Sequence, residues 1–177
     1  MKTRRNLLIA AALALLAGCS SGTESSASPD DPLRPGLYSL VLATSGAEGS
    51  SVPVGGWTGT LLLPPGVQVE ASADGKVPDS ALHLAVPGGA PAMVSGHLLK
   101  NPAGVELSVV AAPKSPWKGS FLRLDFLVTN DLPAVTEKSF KALNATLGGY
   151  RVVGLDPATH TSVDLTGVVA TTFSVTR

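Results

Sequence analysis

Leu122-Arg123-Leu124-Asp125-Phe126-Leu127-Val128 is the cleanest alternation in the chain. Leu122, Leu124, Phe126 and Val128 point one way, and Arg123, Asp125 and the following Thr129 point the other. Successive side chains leave a strand on opposite sides, so a period of two marks a strand with one face buried and one face wet.

The same pattern recurs on both sides of this stretch. Upstream, Gly36 to Thr44 puts Tyr38, Leu40 and Leu42 on one face. A Gly/Ser loop over 45–56 leads to a strand over Trp57–Leu63, stopped by Pro64-Pro65-Gly66. Val67–Ala73, Ala81–Val86, Ala92–Lys100 and Val105–Ala111 follow, separated by Asp74-Gly75, Pro87 to Pro91 and Asn101-Pro102-Ala103-Gly104. In Ala81–Val86 the apolar Leu82, Leu84 and Val86 oppose His83. Ala112 to Gly119 reads as a loop holding Trp117. Downstream, Pro133 to Leu147 is the one stretch suited to a helical turn, with Phe140, Leu143 and Leu147 at helical spacing. Arg151–Leu155 and Ser162–Leu165 flank an Asp156-Pro157 turn, and Val168–Thr176 carries Val169, Thr171, Phe173 and Val175 on one face. About nine short strands at roughly ten-residue spacing predict an all-β sandwich or barrel.

Composition agrees. Nineteen Gly and 14 Pro among many Val, Leu and Thr read as short strands broken by turns, and 15% charged residues leave little for long exposed helices. The only cysteine is Cys19, so no internal disulfide forms and the fold rests on its hydrophobic core.

The start of the chain is organised differently. Lys2, Arg4 and Arg5 precede an apolar run over Leu7–Leu16, and Leu16-Ala17-Gly18-Cys19 follows. This is the layout of an export signal. The run is shorter than the about 20 residues a membrane-spanning helix needs. Leu16-Ala17-Gly18-Cys19 resembles the lipobox of bacterial lipoproteins. That resemblance implies cleavage after Gly18, lipidation of Cys19 and anchoring of the protein to a membrane through the acyl chains. A plain secretory signal with an incidental cysteine is the alternative. Ser20, where an Asp would favour the inner membrane, implies the outer membrane or cell surface of a bacterial envelope. Thr3-Arg4-Arg5-Asn6-Leu7-Leu8 also resembles a twin-arginine signal. The chain thus divides into a signal peptide over 1–18, a lipidated cysteine and Ser-rich flexible tether over 19–32, and one domain over 33–177. Removing the leader's three basic residues leaves ten against 13 acidic ones, a mildly acidic balance that argues against nucleic acid.

A second resemblance covers the domain. Thr60-Leu61-Leu62-Leu63-Pro64-Pro65-Gly66-Val67 is a strand ending in a proline-glycine-valine turn. The alternating stretch at 122–128, a loop with Phe140, Asp164-Leu165-Thr166-Gly167-Val168 and the last strand follow in order. Together they resemble the cohesin-like domains of bacterial envelope lipoproteins. The resemblance implies a nine-stranded, Ig-like jelly-roll sandwich. It maps no contact residue onto this chain.

No stretch carries a catalytic or cofactor motif. There is no Gly-x-Ser-x-Gly elbow, and Glu48, Glu70, Glu106 and Glu137 are scattered. Gly55-Gly56 and Gly88-Gly89 read as turn glycines in Pro-containing loops rather than phosphate cradles. His83 and His97 would share an exposed face if their strands paired, yet no third metal ligand is evident. Asn144-Ala145-Thr146 matches a glycosylation sequon, read as coincidence. Trp117 is the candidate ligand contact, since an indole on a loop can stack on a sugar or anchor an interface. The competing reading is a loop pinned to the core by its one aromatic, and Trp57, at the start of a strand, reads as core. The expectation is a non-enzymatic binding module with no cofactor and no metal. Its partner is an envelope protein, with polysaccharide or an edge-strand partner as alternatives.

Overall fold

The alternating stretch lies within β7 (Gly119–Val128), which forms the spine of one sheet. One edge of β7 pairs with β1 (Gly36–Ser45), and the other carries two short strands end to end, β3 (Val67–Gln68) and β4 (Leu82–Leu84). β10 (Ala170–Thr176) lies on the far side of β1. The second sheet runs in the order β5 (Ala92–Lys100), β6 (Ala103–Ala111), β2 (Val54–Leu62), β8 (Arg151–Leu155), β9 (Ser162–Asp164). All these pairings are antiparallel, and the fold is all-β, with ten strands among the described residues in two facing sheets. This computed structural model describes residues 28–46, 49–86, 89, 91–112, 117–129, 134–145 and 149–177. The signal peptide, Cys19 and most of the expected tether lie outside them, as do Glu48, Gly88 and Leu147.

The apolar faces read from the alternation are the ones that meet in the core. Tyr38, Leu40 and Leu42 of β1 and Leu122, Leu124, Phe126 and Val128 of β7 are buried. They face Trp57 and Leu61 of β2, Val105, Leu107 and Val109 of β6, and Val152 of β8. One local irregularity enlarges this core. Leu42 pairs with Leu122 but Ala43 pairs with Ser120, which leaves Phe121 as the extra residue of a bulge. A bulge re-aims a side chain, and here Phe121 and Leu122 are both buried despite being consecutive. Phe121 then packs between two indoles, 5.4 Å from Trp57 and 5.4 Å from Trp117. Gly59 makes room for this group: a Cβ there would lie 2.7 Å from the Trp57 ring.

The two sheets are joined at one edge. After β3 the chain leaves the first sheet and runs beside β5, where Val77 N donates to Gly96 O and Leu98 N to Gly75 O. This is why β3 spans two residues instead of the expected Val67–Ala73. A single 3-10 turn at Asp79–Ala81 returns it to the first sheet as β4. Gly55 and Gly56, expected in a loop, lie in β2, where the pairing to β8 shifts register between Val54 and Gly56.

The expected helical turn is α1 (Glu137–Leu143), capped by Thr136, whose side chain accepts from Ser139 N. Phe140 is its buried residue and meets Phe126 at 5.2 Å. Just past it, Asn144 is locked to the end of β2. Its Oδ1 accepts from Leu62 N at 2.7 Å, and its Nδ2 donates to Leu62 O at 2.9 Å and Phe140 O at 3.0 Å. The amide acts as one more link of a β ladder on an edge that β8 does not reach. Residues before Leu33, the expected start of the domain, also meet α1. Pro29 O accepts from Lys138 N in the first turn of α1, and Asp30 pairs with Lys138 at 3.0 Å.

Candidate functional site

Residues paired across antiparallel strands share a face, so the register gives the outer surface of the first sheet row by row. Thr176, Ser39 and Asp125 form one row, and Ser174, Val41, Arg123 and His83 the next. Leu37, Leu127 and Gln68 form the row nearest α1. These are the residues that alternation sends away from the core.

Asp125 is the centre of this face. Its Oδ1 accepts from Ser39 Oγ at 2.7 Å, and its Oδ2 lies 2.9 Å from His83 Nε2. Arg123 Nε is 3.4 Å from Oδ1. Three strands thus converge on one carboxylate: β1 through Ser39, β7 through Arg123, and β4 through His83. Burial alone would raise the pKa of this carboxyl, but hydrogen bonds from Ser39 and His83 and the charges of His83 and Arg123 outweigh it and hold the pKa below the ordinary value. An ionised carboxylate only accepts hydrogen bonds, so His83 Nε2 carries the proton of this contact. The carboxylate side chain is 20% exposed, whereas Arg123 is 47% and His83 42% exposed. The cationic and imidazole groups therefore remain open to a partner while the acid beneath them holds them in place.

The order of these groups decides their chemistry. A serine nucleophile needs a base on its hydroxyl. Here Ser39 donates to a carboxylate whose pKa is lowered, and the imidazole bonds to the far oxygen of the same carboxylate. Asp125 lies between Ser39 and His83, so the imidazole bonds to the carboxylate and not to the Ser39 hydroxyl. Beside it, Leu37 and Leu127 are 65% and 43% exposed on directly paired positions. The face thus offers an apolar contact next to an oriented polar one.

The second sheet's outer face carries its own exposed pair, Met93 and Val110, paired across β5 and β6. Its polar residues Ser95, Ser108, Thr58 and Arg151 follow in the adjacent row. His97 pairs with Glu106 on this sheet, so His83 and His97 stand on different sheets and do not converge. Among the described residues, no three His, Cys, Asp or Glu side chains group as a metal site. A shallow open groove of ≈ 460 Å³ lies between the 70–72 and 78–80 segments, lined by Glu70, Ser72, Lys76, Asp79 and Ser80.

Trp117 is in the core, 1% exposed and packed on Phe121, so the indole has no face to offer a ligand. The pinned-loop reading is the one its position supports. Trp57 is likewise 1% exposed, and its Nε1 donates to Thr171 Oγ1 at 2.9 Å, which ties β2 of one sheet to β10 of the other. Every Phe, Tyr and Trp of the chain is described: six are buried, and Tyr150 and Phe173 are half-buried. Asn144 of the sequon is 4% exposed with its amide already committed, so it is closed to a modifying enzyme in the folded state.

The Asp125 cluster is not legible in the sequence because its members are distant along the chain: Ser39 and His83 lie 86 and 42 positions from Asp125. The only advance signal was that Arg123, Asp125 and His83 fall on the wet side of their strands.

Fold and site together define a class: an antiparallel β-sandwich with a pre-oriented polar row on one sheet face. No family model, curated protein or solved structure matches the chain.

Proposed function

We propose that this chain is a membrane-anchored lipoprotein that acts as a non-enzymatic binding module, docking a protein partner in the bacterial envelope or at the cell surface through the outer face of its first sheet. The Ser39–Asp125–His83–Arg123 arrangement beside Leu37 and Leu127 carries this reading. Protein interfaces combine a desolvated apolar centre with charged groups that set orientation. Arg is well suited to such positions because its planar fork binds carboxylates in two places. Sugar recognition relies on an exposed ring for stacking, and this chain keeps its aromatic rings buried or half-buried. A cohesin-like jelly roll is the finer fold assignment we favour, because the chain crosses between the sheets repeatedly.

The test uses two exposed positions, Arg123→Glu and Leu127→Glu, made in the lipidated protein in its own cells. After crosslinking and solubilisation, the unsubstituted chain should capture one partner in near-equal amount, and both variants should lose it while melting at the same temperature. Equal capture by all three chains sinks the assignment of this face. Cys19→Ala should release the protein from the membrane fraction, and its retention there would overturn the anchor.

A second reading has its own support. β10 is an edge strand with no charged residue, Gly or Pro from Ala170 to Thr176, and edges of that kind accept further strands. A partner that survives Arg123→Glu and Leu127→Glu but is lost with Thr172→Lys would move the contact to this edge.

A further inference from the structure

We infer that the α1 end of the sandwich faces the lipid surface and that the opposite end is held away from it. This inference rests on the proposed lipid anchor at Cys19. The strand registers define two ends. At one lie Gly36 of β1, Val128 of β7, Leu62 of β2 and Ala103 of β6, with α1 packed beneath them. At the other lie Ser45, Gly119, Val54, Ala111 and the 156–161 turn that follows β8.

The chain that leads back to Cys19 is fastened to the first of these ends. Leu33 N donates to Val135 O at 2.7 Å, and Lys138 N donates to Pro29 O at 3.0 Å. Asp30 pairs with Lys138 at 3.0 Å, and Ser28 and Asp31 close a turn on each other. Ser28 is the first described residue after the anchor. Nine residue steps separate it from Cys19, and they span at most about 32 Å whatever their conformation. The ten-residue strands β1 and β7 stand about 33 Å tall. To stand upright with the far end on the bilayer, the sandwich would need that connection to run back along its whole height. Upright with the α1 end down is the arrangement that leaves this connection slack.

The surface there suits the position. Arg34 and Lys100 are exposed there beside exposed Leu37 and Leu143, while Lys138 and Lys141 pair with Asp30 and Glu137. Exposed cations at 34 and 100 suit a surface of anionic headgroups. The placement also constrains the docking face. Asp125 is three residues from Val128, about 10 Å above this end, so a partner seated on the Asp125 row lies beside the membrane.

The test exploits the single cysteine, which the lipid occupies. Lys100→Cys labels the α1 end and Ala158→Cys the opposite end, each in full-length lipidated protein carrying a maleimide fluorophore. The proteins are reconstituted into liposomes containing a headgroup-labelled acceptor lipid. Energy transfer should be strong from position 100 and several-fold weaker from position 158. Equal transfer, or stronger transfer from 158, with both proteins in the liposome fraction would overturn the orientation and leave the anchor standing. If the unsubstituted chain itself takes the label and stays out of the liposome fraction, anchor and orientation fall together.

Discussion

Asp125 shows how one carboxylate organises a surface. Its pKa is lowered in the folded protein, so it ionises at a lower pH than it does in the unfolded chain. Between those two values the unfolded chain binds more protons, and stability rises with pH. The contribution is fully present above the ordinary carboxyl value of about 3.9 and is lost as pH falls through the lower folded value. Asp125→Asn should therefore cost about 1 kcal/mol at neutral pH, a charge-assisted bond discounted for the half-exposed Arg123 and His83. The difference from the unsubstituted protein should vanish in acid. Urea midpoints measured from pH 7 down to pH 2 check this, and a pH-independent difference would show that the carboxylate acts only through packing. A second residue makes the opposite case. Thr44 is 3% exposed, and its Oγ1 has no hydrogen-bond partner among the described residues. An unsatisfied buried hydroxyl carries a desolvation cost with no return. Thr44→Val keeps the shape and the β preference, and it should raise stability by about 1 kcal/mol. A loss of stability in urea would reveal a bond to that hydroxyl.

At the scale of elements, what the sequence displayed was local. The period of two in β7, β1 and β10 follows from strand geometry alone, so their buried faces could be read residue by residue. Three features could not. Phe121 is turned inward by a register shift against β1, a property of the pairing rather than of either strand. β3 is cut short because its continuation finds hydrogen bonds on β5, in the other sheet. Asn144 reads as a sequon or a helix end, yet its amide completes an edge of β2 that lies 82 positions away. The Asp125 cluster belongs with these: each member was placed on a wet face by alternation, but which faces adjoin is decided by strand order. Asn144 offers a direct test of the non-local kind. Asn144→Ala strands the Leu62 N–H and C=O and should cost about 2 kcal/mol. Asn144→Asp keeps an acceptor for Leu62 N but sets a carboxylate oxygen against the carbonyls of Leu62 and Phe140, and it should cost more than alanine. If the two variants melt together, the amide donor is not what holds α1 to β2.

For the whole molecule, the decisive question is where the folded unit begins. Composition puts the boundary at Leu33, because the Ser-rich stretch before it has little apolar area to bury. The structure carries order further back by a different means, through backbone and charge rather than burial. Pro29 O satisfies one of the N–H groups that the first turn of any helix leaves unpaired, and Asp30 adds an ion pair to Lys138. The ion pair is exposed and contributes little, so the backbone bond dominates, worth about 1 kcal/mol. A domain starting at Leu33 should therefore be less stable than one starting at Ser28 by about that amount, and the loss should be concentrated at α1. Amide exchange can separate the cases. The shorter domain should exchange faster at Lys138 while β7 and β6 keep their protection. Uniform acceleration would mean that residues 28–32 stabilise the sandwich as a whole, and unchanged exchange would return the boundary to Leu33 and lengthen the tether by five residues. Leu33 N donates to Val135 O whichever outcome holds, so the boundary sets the length of the tether and not the end it leaves from.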